Sequence, residues 1–283
     1  ISGMERAAVE AQLRPLVRRE IVQLEVDPRS PERGMYSFVQ ALIREVAYST
    51  LAMRDRRTKH LAAARYFESL GDEELAGALA AHYIAAYRVA PTGPEGEALA
   101  AQARVSLRAA EDRAEALGSP RQAVVFLEQA VEVAADDAER ADLLDQAGRA
   151  AMNAARTDLA DDLLVKSTAI RERLGDRAAL ARTIGLRAAC LTAARRREQA
   201  VALLAPVVAD LGDLAEDPIG VQLIADLGRY QFLGNVDDRG LAATDRALAA
   251  AERLGLVDIA AQTLATKGGI AVFAGRHWEA RAI

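Results

Sequence analysis

Residues 174–215 read LGDRAALARTIGLRAACLTAARRREQAVALLAPVVADLGDLA, and the spacing within this stretch decides the fold. It holds two helical segments, one from Asp176 to Ala194 and one from Arg197 to Leu211, each with apolar residues at helical spacing. Its opening pair, Leu174-Gly175, returns one 40-residue register later as Leu214-Ala215 and again as Leu254-Gly255. Three further columns keep the same register. Gly148, Ala188, Gly228 and Gly268 share one position; Ala160, Ala200, Gly240 and Ala280 share another; Leu144, Ile184, Ile224 and Leu264 share a third. Self-similarity at such a period marks a stack of two-helix repeats. The small columns let neighbouring helices approach closely, and the large columns fill the space beside them.

The punctuation agrees. Asp217-Pro218 reads as an N-cap followed by proline in the first helical turn. Ser119-Pro120-Arg121-Gln122 reads as a capping box, and Gly175 and Gly255 as glycine stops. Of 283 residues, 63 are Ala and 34 are Leu, both strong helix formers, while aromatics make up 4%. An all-β fold is excluded on that composition. The net charge is −5, with residues 1–70 at +3 and the remainder at −8. That balance gives no overall bias toward nucleic acid. The single Cys190 rules out an internal disulfide framework and points to a reducing, cytoplasmic setting. No uncharged apolar run approaches the ~20 residues of a membrane span. The chain has no initiator Met and stops inside an apparent helix, so it is expected to be part of a longer protein.

The repeat pattern resembles the tetratricopeptide repeat (TPR). That family's small residue in the first helix matches Gly148, Gly228 and Gly268, with Ala188 substituting. Its turn glycine matches Gly118 and Gly275, whereas Ala155, Arg195 and Asn235 depart from it. Its alanine in the second helix matches Ala123, Ala160, Ala200 and Ala280, with Gly240 in one repeat. The family's tryptophan and tyrosine are missing, and its period is shorter. The resemblance covers about residues 97–283. It implies an all-α, right-handed superhelix of TPR-like helix pairs.

The first ninety residues differ. Residues 4–19 read as a helix, Ile21–Val26 as a strand, 27–31 as a turn cluster and Met35–Phe38 as a returning strand, the closing half of a winged helix. The following run, from Tyr36-Ser37-Phe38 through Leu42-Ile43-Arg44-Glu45 and Ala47-Tyr48 to Arg56 and His60, resembles the junction of bacterial signal-transduction ATPases. The closest likeness is to those linked to class III adenylate or guanylate cyclases and to large transcription regulators. Gln40 stands where that family usually has histidine. The resemblance implies a winged-helix-like α+β remnant over 1–52, a helical linker over 53–96 and repeats over 97–283. It further implies an intramolecular contact with an upstream ATPase core. The alternative is part of an ATP-dependent transcription regulator whose DNA-binding domain lies outside this chain.

Catalytic signals are lacking. No Gly-x-x-x-x-Gly-Lys-Ser/Thr phosphate loop occurs, so the chain is expected neither to bind ATP nor to be an enzyme, and no cofactor or metal is expected. His60, His82 and His277 have no partner at metal-ligand spacing and are expected to be packed or surface imidazoles. Cys190 is expected in the core. The pairs Asp136-Asp137, Asp161-Asp162 and Asp237-Asp238 are expected to serve helix starts. The basic run Arg54–His60 and the helix carrying Arg14, Arg18 and Arg19 also bear acidic neighbours, so nucleic acid is an unfavoured partner.

What remains is a surface. The TPR resemblance implies that the first helix of each repeat lines the concave side. On this register the inward-facing positions are Asp145, Arg149 and Met152; Arg182, Ala189 and Thr192; Gln222, Arg229 and Phe232; and Gln262. The expected partner site is Arg149, Met152, Arg182, Thr192, Gln222, Arg229, Phe232 and Gln262, a mixed surface suited to a protein or peptide. Phe232 has a second reading as a core residue.

Overall fold

The computed structural model describes residues 3–26, 34–234 and 238–282. It separates into two compact units, Ile1–Ala109 and Ala110–Ile283.

In the first unit, α1 (Arg6–Arg18) leads into β1 (Val22–Leu24) and β2 (Tyr36–Phe38). The strands pair antiparallel, with Val22 opposite Phe38 and Leu24 opposite Tyr36. The turn cluster expected over 27–31 lies outside the described residues. Three helices follow: α2 (Ala41–Ser49), α3 (Met53–Leu70) and α4 (Ala76–Val89). Gly71, left-handed at φ 62, stops α3. Asp72 then accepts from the Glu74 amide at 2.9 Å and starts the 3-10 turn into α4. Buried Ala63, Ala64, Ala80 and Ala86 let α3 and α4 lie close, with Ile84 and Tyr83 filling the seam. The Tyr83 hydroxyl donates to Glu68 at 2.6 Å.

His60 and His82 are half-buried, packed imidazoles, as expected. α3 and α4 bring them together, Nδ1 to Nδ1 at 2.9 Å, a pairing that sequence spacing does not show. Two arginines of the basic run at 54–60 are held by internal contacts. Arg56 donates to the Leu51 and Ser49 carbonyls at 2.9 and 2.7 Å, and Arg57 pairs with Glu95 at 2.5 Å.

The second unit carries the repeats. From α5 (Gly93–Ala116) the chain continues as α6 (Pro120–Glu132), α7 (Asp137–Asn153), α8 (Thr157–Leu174), α9 (Arg177–Ala193) and α10 (Arg197–Ala209). After a 3-10 segment at Gly212–Glu216 come α11 (Pro218–Gly234), α12 (Asp238–Leu254), α13 (Val257–Phe273) and the short α14 (His277–Ala280). This is the right-handed array of TPR-like helix pairs expected from the 40-residue register, with the small α+β segment ahead of it.

The columns explain themselves in contacts. Ala160, Ala188 and Ala200 are fully buried. A Cβ on Gly148 would stand 2.8 Å from the Leu164 side chain, and one on Gly228 would stand 2.6 Å from Thr244 Oγ1 and 3.0 Å from its backbone nitrogen. Gly240 replaces alanine where α12 meets the α11 backbone: its Cβ would lie 3.3 Å from the Gly228 carbonyl oxygen. Gly268 breaks the column. It is half-buried, and a Cβ there would meet nothing within 4 Å, because α13 has no equally close neighbour on that side.

Helix ends also repeat. At three helix ends the amide two residues beyond the C-cap bonds back five residues: Arg156 to Ala151, Arg196 to Leu191 and Arg276 to Ala271, each at 2.8 Å. The intervening left-handed residue is Gly275 in one turn but Ala155 (φ 58) and Arg195 (φ 61) in the others. Asp217 caps α11 through the Ile219 amide at 2.8 Å. The capping box expected at Ser119 does not form. Ser119 is held at φ −108, ψ 71 as the last residue of the turn closing α5, where its own amide bonds to Ala114, so its side chain misses the α6 amides.

The acidic pairs divide. Asp136 caps the Glu139 amide at 2.8 Å, as expected. Asp161 does not cap: it sits inside α8 and accepts from Arg187 at 2.7 Å and Arg196 at 2.8 Å. Asp237 and the Asp238 side chain lie outside the described residues. Cys190 is fully buried and directs its thiol at the Thr157 carbonyl, 3.3 Å away.

Candidate interaction groove

Four first helices, α7, α9, α11 and α13, share one face in the second unit, and the register decides which side chains appear there. Arg182, Gln222 and Gln262 occupy one column, Arg149, Ala189 and Arg229 another, and Ile219 and Ile259 a third. These residues line a single cleft of about 510 Å³. Five of the eight residues placed on the concave face by sequence therefore converge: Arg149, Arg182, Gln222, Arg229 and Gln262.

The other three lie elsewhere. Met152 is half-buried on α7. The Thr192 hydroxyl donates back to Ala188 at 2.9 Å along its own helix. Phe232 packs edge-on against Phe273, centroids 5.5 Å apart, and its ring would lie 3.2 Å from a Cβ on Gly269, so it joins α11 to α13. Asp145, on the same helix face as Arg149, is also diverted inward. It accepts from Arg171 at 3.1 Å and Thr183 at 2.7 Å, and Arg171 holds Asp142 at 2.5 Å as well.

Charge in the cleft is unbalanced. Arg229 pairs with Asp226 at 2.7 Å and also donates to the Tyr230 hydroxyl at 3.1 Å. Arg149 and Arg182 form no ion pair among the described residues. Two guanidinium groups are thus left uncompensated beside an apolar floor of Ile219, Leu223 and Ile259. Gln222 donates to Gln262 at 3.4 Å, tying α11 to α13 across one end. Asp226 is 8% exposed; burial raises its carboxyl above the ordinary range, opposed by Arg229 and Gln222.

Asp226 and Tyr230 escaped the sequence reading. The signal available was the i,i+3 spacing of Asp226 and Arg229 within an otherwise apolar LIADLGRY run. A cleft of this shape offers forked donors for a carboxylate, amides for a backbone and an apolar floor for a side chain.

A second cleft, of about 470 Å³, lies in the first unit between α1 and the hairpin, with Arg14, Arg18 and Tyr36 on its walls. No His, Cys, Asp or Glu cluster suited to a metal occurs among the described residues. No described helix is long and apolar enough to cross a membrane.

No family model and no curated protein matches the chain. Solved structures do. BtubC (BKLC) from P. vanneervenii is 16% identical, with a TM-score of 0.53 over 82% of this chain and 88% of that one. Rap protein complexed with Competence and Sporulation Factor is 13% identical, with a TM-score of 0.51 over 81% and 73%. The nearly identical TPR-like repeats from Podosopora anserina are 19% identical, with a TM-score of 0.48 over 71% and 96%. At these identities the likeness to the first two is one of fold alone, a helical repeat.

Proposed function

We propose that the chain is a non-catalytic, partner-binding arm of a cytoplasmic signalling ATPase of the cyclase-associated kind. The repeats receive a protein or peptide segment in the α7–α9–α11–α13 cleft, and the arm relays that occupancy to an ATPase core upstream of it. One observation carries the reading: residues drawn from four successive repeats by a single register meet in one cleft that holds two unpaired guanidinium groups. The occupant accordingly presents a carboxylate to Arg149 and Arg182, and its backbone exchanges hydrogen bonds with Gln222 and Gln262 in place of their mutual contact. The resemblance of residues 36–60 to the ATPase junction, and the helix–strand–strand order of the first unit, support the upstream assignment.

The test is fluorescence polarisation of the full chain against a panel of labelled, extended peptides bearing or lacking Asp, Glu and a free C-terminal carboxylate. Acidic members bind, and Arg149→Glu with Arg182→Glu weakens them by tenfold or more, about 1.4 kcal/mol. Equal binding of neutral and acidic peptides, or indifference to the double reversal with circular dichroism unchanged, removes the cleft from the function.

A further inference from the structure

In the first unit, α2 is weakly held. It buries no residue, and its apolar Leu42 and Val46 remain exposed. Its C-terminal turn is tied to α3 and α4 through a chain of rings. The Tyr48 hydroxyl meets His60 Nε2 at 2.9 Å, and His60 Nδ1 meets His82 Nδ1 at 2.9 Å. His82 stacks on Phe67, with centroids 5.5 Å apart at 17°. The Arg56 guanidinium lies 4.7 Å from the Tyr48 ring centre.

The geometry fixes what passes between the imidazoles. The ring centroids are 5.2 Å apart and the nitrogens 2.9 Å apart, so both Nδ1 atoms lie close to the line between the rings. That is the arrangement of a linear N–H···N bond, not of two lone pairs converging on a metal. It needs one proton between the rings. With both rings neutral, Tyr48 donates to His60 and His60 donates to His82, or the whole chain runs in reverse. Adding one proton leaves both bonds intact, since an imidazolium donates from either nitrogen. Adding a second places N–H against N–H and two positive charges side by side, and the bond is lost.

We propose that His60 and His82 form a proton-counting latch between α3 and α4, capped by Tyr48 of α2, that opens when both imidazoles are charged. The surroundings favour that behaviour. Burial lowers both imidazoles from their ordinary range, and His82 lowers His60 further. The charged groups nearby are Arg56, over Tyr48, and Glu68, which is engaged by Tyr83 with Arg65 acting on the same phenol. Neither imidazole has a carboxylate partner among the described residues, so nothing offsets the second charge. The pair titrates as a unit rather than as two sites.

The experiment is hydrogen exchange of the full chain from pH 7.5 to 4.5, followed by mass spectrometry and corrected for the chemical exchange rate. Protection over residues 76–89 is expected to fall by more than one and up to about two log units per pH unit in acid, the signature of the protons taken up on opening. Protection over 141–208 stays level and serves as the internal control. In His82→Gln, which keeps a hydrogen-bonding side chain, the slope does not exceed about one and α4 stays protected to lower pH. In Tyr48→Phe, α2 exchanges faster already at pH 7.5. Imidazole nitrogen NMR of the unmodified chain adds a check that needs no variant: His60 and His82 show coupled steps. A flat profile over 76–89, an unchanged slope in His82→Gln, full protection of 41–49 in Tyr48→Phe, or independent titration of His60 and His82 would each overturn the latch.

Discussion

Arg229 holds Asp226 at 2.7 Å from one turn along α11, and this contact makes a buried carboxylate part of the cleft wall. Asp226 is 8% exposed, whereas the Arg229 side chain is 35% exposed and open to the cleft. Removing the cation strands the anion. Arg229→Met is expected to destabilise the second unit by about 2–4 kcal/mol at neutral pH, allowing for the partial exposure of Arg229. The loss shrinks as pH falls. Asp226 binds its proton more tightly folded than unfolded, so lowering pH through its raised folded range favours the native state. Urea denaturation at pH 7 and pH 5 checks both the size and the sign.

Two glycines from one sequence column should behave oppositely. Gly228→Ala drives a methyl against the Thr244 backbone and Gly240 and is expected to cost about 1–3 kcal/mol. Gly268→Ala enters open space in a helix interior and gains up to about 1 kcal/mol from helix propensity. Thermal melts of the two variants distinguish them. Equal destabilisation would show that α13 packs more tightly at Gly268 than this structure has it.

The left-handed turn residues give a third expectation. Ala155 and Arg195 occupy positive φ where the repeat elsewhere uses Gly275. Replacing either by glycine relieves about 1–2 kcal/mol of steric cost, against a larger unfolded-state entropy. A net gain of about 0.5–1 kcal/mol each is expected, additive because the turns are a repeat apart, and read as a rise in urea midpoint at constant slope.

The Arg171 network supplies a fourth. Arg171 is 6% exposed and joins α8 to Asp142 and Asp145 on α7, while Thr183 on α9 donates to the same Asp145 oxygen. Asp145→Ala is expected to cost about 3 kcal/mol by leaving a buried cation half-paired. Thr183→Val should cost about 1 kcal/mol. In a double-mutant cycle the two costs combine non-additively, because both remove the same hydrogen bond. Strict additivity would deny the network.

Much of the array was legible in the residues themselves. The 40-residue columns, the Asp217-Pro218 start and the Gly175 and Gly255 stops each follow from local chemistry: small side chains at crossings, oxygen acceptors at helix starts and a residue without Cβ at positive φ. Composition excluded a β fold for the same kind of reason. The register also placed five of its eight partner-face residues on one cleft, since equivalent positions on stacked helices face alike.

Tertiary structure decided the rest, where one side chain's role depends on distant neighbours. Asp145 and Arg149 share a helix face, yet Asp145 is drawn inward because Arg171 and Thr183, from two other helices, lie within reach. Phe232 turns to Phe273, forty-one residues away, and Asp161 reaches Arg187 and Arg196 instead of capping its helix. His60 and His82 lie twenty-two residues apart and meet only because α3 and α4 fold back on one another. Periodicity reports which face a residue occupies; the partner that satisfies its charge or hydrogen bond is set by the packing of one helix against the next.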